Sequence, residues 1–160
     1  MNDRTVFVEN VSRQDVKQGW HIDPTVTPTV LIQISDCGYD QPTAKYGDAF
    51  VETRRFWFDD TEDLFDMNCV SDYQAKQLAG ILTDAFEKRR NVVVHCHAGI
   101  CRSGAVAEVG QMIGFVVPEG RNRIPNSLVK RKMMEALGIS FNPEKSPFDT
   151  VDPNDEKWDN

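Results

Sequence analysis

The segment 92–104, Val-Val-Val-His-Cys-His-Ala-Gly-Ile-Cys-Arg-Ser-Gly, constrains the fold more than any other part of the chain. Three consecutive valines suit a buried strand, and the Ala- and Val-rich run after Gly104 suits a helix. Only five residues, His97, Ala98, Gly99, Ile100 and Cys101, separate Cys96 from Arg102. A strand that passes to a helix through so short a loop turns successive N–H groups inward, with the positive end of the helix dipole behind them. That is a cradle for a phosphate-sized anion. Cys96 stands at its edge, where a thiol is expected to ionise readily. Arg102 supplies a planar fork able to hold two oxygens of a bound phosphoryl group. Taken alone, Cys96 also reads as a buried structural cysteine on a βα turn.

The rest of the chain alternates strand and helix signals. A short strand is expected at 5–8. Ser12 and Asp15 form a capping-box start for a helix reaching about Gln18, with Gly19 as its stop. The apolar run 29–35 reads as a buried strand, and 53–58 as another. Ser71 and Gln74 cap a helix whose Leu78, Ile81, Leu82, Ala85 and Phe86 share one face. Strand 92–95 and the loop follow, then a helix to about Ile113, and Asn126 caps a last helix over 127–137. This order predicts a single α/β domain with a mostly parallel central sheet flanked by helices. Such sheets place ligands at the carboxyl ends of their strands, where the loop lies. Trp20 is expected to pack in the core or a loop, and His21 to lie at the surface.

At 160 residues and 40% hydrophobic, the chain is long enough for one sizeable core. The first twenty residues carry Asp3, Arg4, Glu9, Arg13 and Asp15, so no apolar leader is read, and no stretch is long enough to span a bilayer. The cysteines at 37, 69, 96 and 101 form no Cys-x-x-Cys pair, and no metal site is expected. Reduced thiols and a cytoplasmic location are the simpler expectation. Of the net charge of −7, the Pro-containing segment 141–160 carries −4 and reads as an acidic tail. The remaining body, near −3, argues against bulk attraction to nucleic acid or an anionic membrane.

The pattern His-Cys-x-Ala-Gly-x-x-Arg-Ser at 95–103 resembles the signature of cysteine-dependent protein phosphatases, in their compact, atypical dual-specificity branch. The resemblance covers roughly 5–138 and is strongest at 92–104. It implies the dual-specificity/tyrosine phosphatase-like fold over 1–140, and hydrolysis of phosphotyrosine, with phosphoserine and phosphothreonine as further substrates, through a phosphocysteine intermediate and without metal or cofactor. It makes Cys96 the nucleophile and Arg102 the transition-state clamp. Phosphate is held by His97, Ala98, Gly99, Ile100, Cys101 and Arg102. Ser103 hydrogen-bonds the sulfur as a leaving group, and His95 orients the loop. The general acid is expected thirty-odd residues upstream, just after a strand. Phe58-Asp59-Asp60 resembles the Phe-acid-Asp pattern of this branch and points to Asp60, 36 positions before Cys96; Asp59 and Asp63 are the alternatives. Cys37, at the end of a strand, is a candidate redox partner for Cys96. Tyr39, Lys45 and Tyr46 are candidates for substrate recognition, and the segment 123–126 resembles the Pro-Asn element before a late helix.

A phosphoprotein substrate and a monomer are expected. Lipid-directed members usually carry lysines at the variable loop positions, where this chain has none. An RNA 5′-triphosphatase or phosphatase on the same scaffold would need a basic cleft, and the one basic cluster is Arg121, Arg123, Lys130, Arg131 and Lys132. A phosphopeptide-binding module with weak catalysis is the remaining alternative.

Overall fold

The computed structural model describes residues 5–140. The acidic tail read at 141–160 lies outside the described residues. Four parallel strands, β1 (Val8–Ser12), β2 (Thr29–Ser35), β3 (Glu52–Trp57) and β4 (Asn91–Cys96), form one sheet in the order β1-β4-β2-β3. β2 and β4 are central and buried at every position. Their near-continuous apolar runs are what a parallel sheet covered on both faces requires.

The helices are α1 (Arg13–Gln18), α2 (Asp72–Glu87), α3 (Arg102–Met112) and α4 (Ser127–Ala136). On one face Val30, Ile32, Ile34, Val92, Val94 and Cys96 pack against apolar residues of α2, α3 and α4. On the other, Val11, Leu31 and Val93 pack with Val16 of α1 and with Phe50. The period-2 alternation of β4 divides its side chains between the two clusters. A short 3-10 helix, Gly47–Ala49, interrupts the loop between β2 and β3.

Most expected elements form within a residue or two of their predicted bounds, and the sheet is parallel throughout. The first strand does not. It runs over Val8–Ser12 rather than 5–8, with Phe7 only bridged to Val116. Glu9 and Asn10 hide it from a hydrophobic reading, yet both are buried and held by long-range contacts, with Asn10 Oδ1 left without a partner among the described residues. Glu9 accepts from the Ile22 N–H at 2.8 Å and from Arg121, and Asn10 donates to the Gly99 carbonyl at 2.7 Å. Trp20 is exposed rather than packed. His21 lies against Tyr46 and Phe50, with Nε2 buried, rather than at the surface.

Both capping boxes form. At α2 the Ser71 hydroxyl accepts from the Gln74 N–H at 3.0 Å, and the Gln74 side chain accepts from the Ser71 N–H at 2.9 Å. Gln74 Nε2 also donates to the Trp57 carbonyl at 3.0 Å, fastening α2 to the end of β3. Replacing Ser71 with Ala is expected to cost about 1 kcal/mol. Urea unfolding should show a lower midpoint at unchanged slope; an unchanged midpoint would mean that the cap contributes nothing.

Candidate active site

The loop 97–101 joins β4 to α3 at the carboxyl end of the sheet, and four of its five carbonyls accept hydrogen bonds. The His97 carbonyl accepts from the Arg13 N–H at 3.1 Å, Gly99 from Asn10 Nδ2 at 2.7 Å, and Ile100 from the Ile124 N–H at 3.2 Å. Cys101 accepts from the N–H groups of Ala105 and Asn126. Buried carbonyls need such partners. With these satisfied from outside, the N–H groups of Ala98, Ile100, Cys101 and Arg102 have no protein acceptor among the described residues. Gly99 makes the turn possible. Its φ is +77°, and a Cβ there would collide with the backbone of Val11 and Ser12.

Cys96 is 2% exposed. Its sulfur accepts from the Gly99 N–H at 3.3 Å and lies 3.2 Å from the Ser103 hydroxyl. Both contacts can stabilise negative charge on sulfur.

Arg102, at the first turn of α3, is buried. Its Nη1 donates to Asp36 Oδ1 at 2.6 Å and to the Phe58 carbonyl at 2.8 Å. Its Nε is buried and has no partner among the described residues. The guanidinium is thus anchored at one nitrogen to the loops after β2 and β3, with unused donors remaining. Asp36 was not singled out from the sequence. Its only local signal is an acid at the end of a buried strand, and the ion pair joins positions 66 apart.

The three candidate acids have different partners. Asp59 Oδ1 accepts from the Cys37 N–H at 2.9 Å, a capping contact within the scaffold. Asp63 Oδ1 accepts from the Phe65 N–H at 2.9 Å in a local turn. Asp60 stands beside the loop 97–101: its carboxylate accepts from Asn126 Nδ2 at 2.8 Å, and its charge acts on the Cys101 thiol. Burial first, then the charges of Asp60 and Cys96, push the Cys101 thiol up from its ordinary value. The loop carrying Asp60 is fastened to α4. Asn126 also donates to the Thr61 carbonyl at 3.1 Å, and Glu62 accepts from the Ser127 N–H at 2.7 Å. Asn126 meanwhile caps α4 through Val129, so one residue joins the acid loop, the helix and the Cys101 carbonyl.

A cleft of about 320 Å³ opens over Cys96, lined by Arg13, Ser35, Asp36, Tyr39, His95 and His97, among others. Tyr39 is therefore at the site, held by a 2.7 Å bond from the Trp57 indole to its carbonyl. Lys45 and Tyr46 line a separate cavity of about 610 Å³ over β2 and β3. Cys37 does not line the cleft, and burial and the nearby Asp59, Asp36 and Asp66 raise its thiol above the usual value. All four cysteines are free. Of the basic cluster, all but Arg131 are paired with carboxylates among the described residues. Arg121 pairs with Glu9 and Asp15, Arg123 and Lys130 with Glu108, and Lys132 with Asp72. Among the described residues no group of three or more His, Cys, Asp or Glu could hold a metal ion, and no helix is long and apolar enough to cross a membrane.

His95 is fully buried, with Nδ1 3.3 Å from the Cys96 carbonyl oxygen. Burial lowers its pKa from 6.5 to about 4, so the ring is neutral at neutral pH. The unfolded chain takes up this proton near pH 6.5 and the folded chain only near 4, so the unfolded state binds more protons between those values. Stability is therefore expected to fall with pH across that window, by about 3 kcal/mol from this group, and to be insensitive to it above. Urea titrations at pH 7 and 4.5 should show a smaller acid loss for His95→Gln than for the natural chain. Equal losses would contradict this account.

No family model matches the chain. No curated protein matches it either. Solved structures do. The human tyrosine phosphatase-like serine/threonine/tyrosine-interacting protein superposes with a TM-score of 0.55 at 16% identity, over 79% of this chain and 88% of that one. Human DUSP28 follows at 13% identity and a TM-score of 0.48, over 86% and 83%. OH1 from the Orf virus, described as a tyrosine phosphatase with triple substrate specificity, aligns at 14% and 0.48, over 82% of each chain. At such identities the likeness is one of architecture: the chain shares the fold of the tyrosine phosphatase-like protein with which it superposes at a TM-score of 0.55.

Proposed function

We propose that the protein is a phosphoric monoester hydrolase acting on phosphotyrosine, and on phosphoserine or phosphothreonine, in protein substrates. The observation that carries this reading is the state of Arg102: buried, held at Nη1 by Asp36 and the Phe58 carbonyl, with Nε unpartnered, beside a loop whose N–H groups lack acceptors. A buried guanidinium with an unpartnered Nε, beside loop N–H groups that lack protein acceptors, suits an anionic ligand with several oxygens.

In the proposed reaction the Cys96 thiolate attacks phosphorus while the loop N–H groups and Arg102 hold the equatorial oxygens. The bond from phosphorus to the substrate oxygen breaks, and Asp60 as the free acid gives that oxygen its proton. The Asp60 carboxylate then takes a proton from water as the water attacks phosphorus. The sulfur–phosphorus bond breaks, Ser103 stabilises the departing thiolate, and inorganic phosphate leaves. Asp36 acts through Arg102 as a positioning residue. Asp60 is preferred over Asp59 because its partner Asn126 also binds the Cys101 carbonyl of the loop 97–101, whereas the partner of Asp59 is the Cys37 N–H in the loop after β2. Cys37, whose thiol is raised by burial and by Asp59, Asp36 and Asp66, is kept as a candidate redox partner of Cys96 rather than as a catalytic residue. An RNA-directed reading draws no support from the basic residues, since Arg121, Arg123, Lys130 and Lys132 are each engaged by carboxylates.

Cys96→Ser should reduce p-nitrophenyl phosphate turnover to solvent background while the thermal transition is kept; turnover above background in that variant would sink the mechanism. Asp60→Asn should slow phosphotyrosine hydrolysis about 10²–10⁴-fold and remove the alkaline limb of a bell-shaped rate profile. Should Asp59→Asn do this instead, the acid is misassigned.

A further inference from the structure

The cleft over Cys96 contains a cation for which the proposed reaction has no use. Arg13 opens α1 immediately after β1. Its backbone N–H donates to the His97 carbonyl at 3.1 Å, so its main chain is fixed to the phosphate loop. Its side chain crosses to the loop after β2, where Nη1 donates to the Asp40 carbonyl at 2.9 Å and reaches the Ser35 hydroxyl at 3.5 Å. The far side of that contact is rigid as well. The Ser35 hydroxyl donates to Gln41 Oε1 at 2.6 Å, and Gln41 Nε2 donates to the Phe56 carbonyl at 2.9 Å.

Arg13 is half-buried and lines the same cleft as Cys96, Tyr39 and His97. Its charge adds, after burial, to what keeps His95 neutral. No carboxylate among the described residues lies within ion-pair distance of it. Arg102 is neutralised by Asp36, Arg121 by Glu9 and Asp15, and Arg123 by Glu108. A guanidinium has five N–H donors, and both contacts made by Arg13 use one nitrogen. A fixed, uncompensated cation on a concave wall favours an anion, and the planar fork favours one with two oxygens.

Resting on the phosphopeptide reading above, we propose that Arg13 is a specificity residue: it binds a second anionic group of the substrate, a carboxylate or a second phosphate on a residue neighbouring the phosphorylated one. The reacting phosphoryl group is served by the 97–102 loop. Arg13 stands outside that loop, on α1, and meets what flanks it.

The test is fluorescence anisotropy with the full chain carrying Cys96→Ser, which removes turnover. Three labelled phosphotyrosine peptides differ at one neighbouring residue: Gln, Glu or phosphoserine. With Arg13 present, at least one anionic neighbour should tighten binding about tenfold over Gln, and whichever of Glu and phosphoserine binds better identifies the source of the charge. Arg13→Gln should bring that ratio to about one, and Arg13→Lys should keep part of it. A ratio near one with Arg13 present overturns the proposal. So does a ratio unchanged in Arg13→Gln, or an equal weakening of all three peptides, which would place Arg13 on the reacting phosphoryl group instead. If none of the peptides binds, the phosphopeptide reading itself fails and takes this inference with it.

Discussion

The site depends on the outward hydrogen bonds that hold the carbonyls of loop 97–101. A five-residue connection between a strand and a helix could collapse on itself and spend its N–H groups internally. Here the main chain of Arg13, the side chain of Asn10 and the N–H groups of Ile124 and Asn126 occupy those carbonyls from outside. The loop is left with donors and few acceptors on its inner side, which is the electrostatic definition of an anion site. The closeness of Gly99 to Val11 and Ser12 belongs to the same arrangement, since the backbone of β1 must approach the loop for Asn10 to reach the Gly99 carbonyl.

Two further residues link that cradle to its surroundings. Arg102 binds the Phe58 carbonyl, two positions before Asp60, and so joins the phosphate loop to the acid loop at the main chain. Asn126 joins the same two loops from the other side, through the Asp60 carboxylate and the Cys101 carbonyl. Loops of this kind are ordinarily the mobile parts of an α/β domain. Here the order β1-β4-β2-β3 brings the ends of β1, β4, β2 and β3 together, and Arg13, Cys96, Asp36 and Asp60 each stand at or just after one of those ends.

What could be read from the sequence followed from how locally it is encoded. Cys96, Gly99, Arg102 and Ser103 lie within eight residues of each other, and their chemistry depends on that spacing. The capping boxes at Ser12 and Ser71 are local too, and both formed. Nothing nearby in the sequence marks Asp36 or Arg13. They meet the loop only once parallel pairing places their strands beside β4, and one acid or one arginine after a strand has no pattern of its own. The offset from Cys96 could not separate Asp59 from Asp60, which differ in what their carboxylates touch. The first strand was misplaced because Glu9 and Asn10 are buried polar residues whose partners lie far away in sequence, and hydrophobic alternation cannot register such residues.

The central claim is that a phosphoryl group passes through the sulfur of Cys96. It is tested most directly by mixing the natural chain with p-nitrophenyl phosphate, quenching in acid within the first turnovers, and mapping phosphorylated peptides by mass spectrometry. The account predicts one phosphoryl group per trapped chain, on the peptide spanning β4 and the phosphate loop, bonded to Cys96. Turnover with no phosphorylated peptide at any quench time, or with the group on another residue, would contradict it.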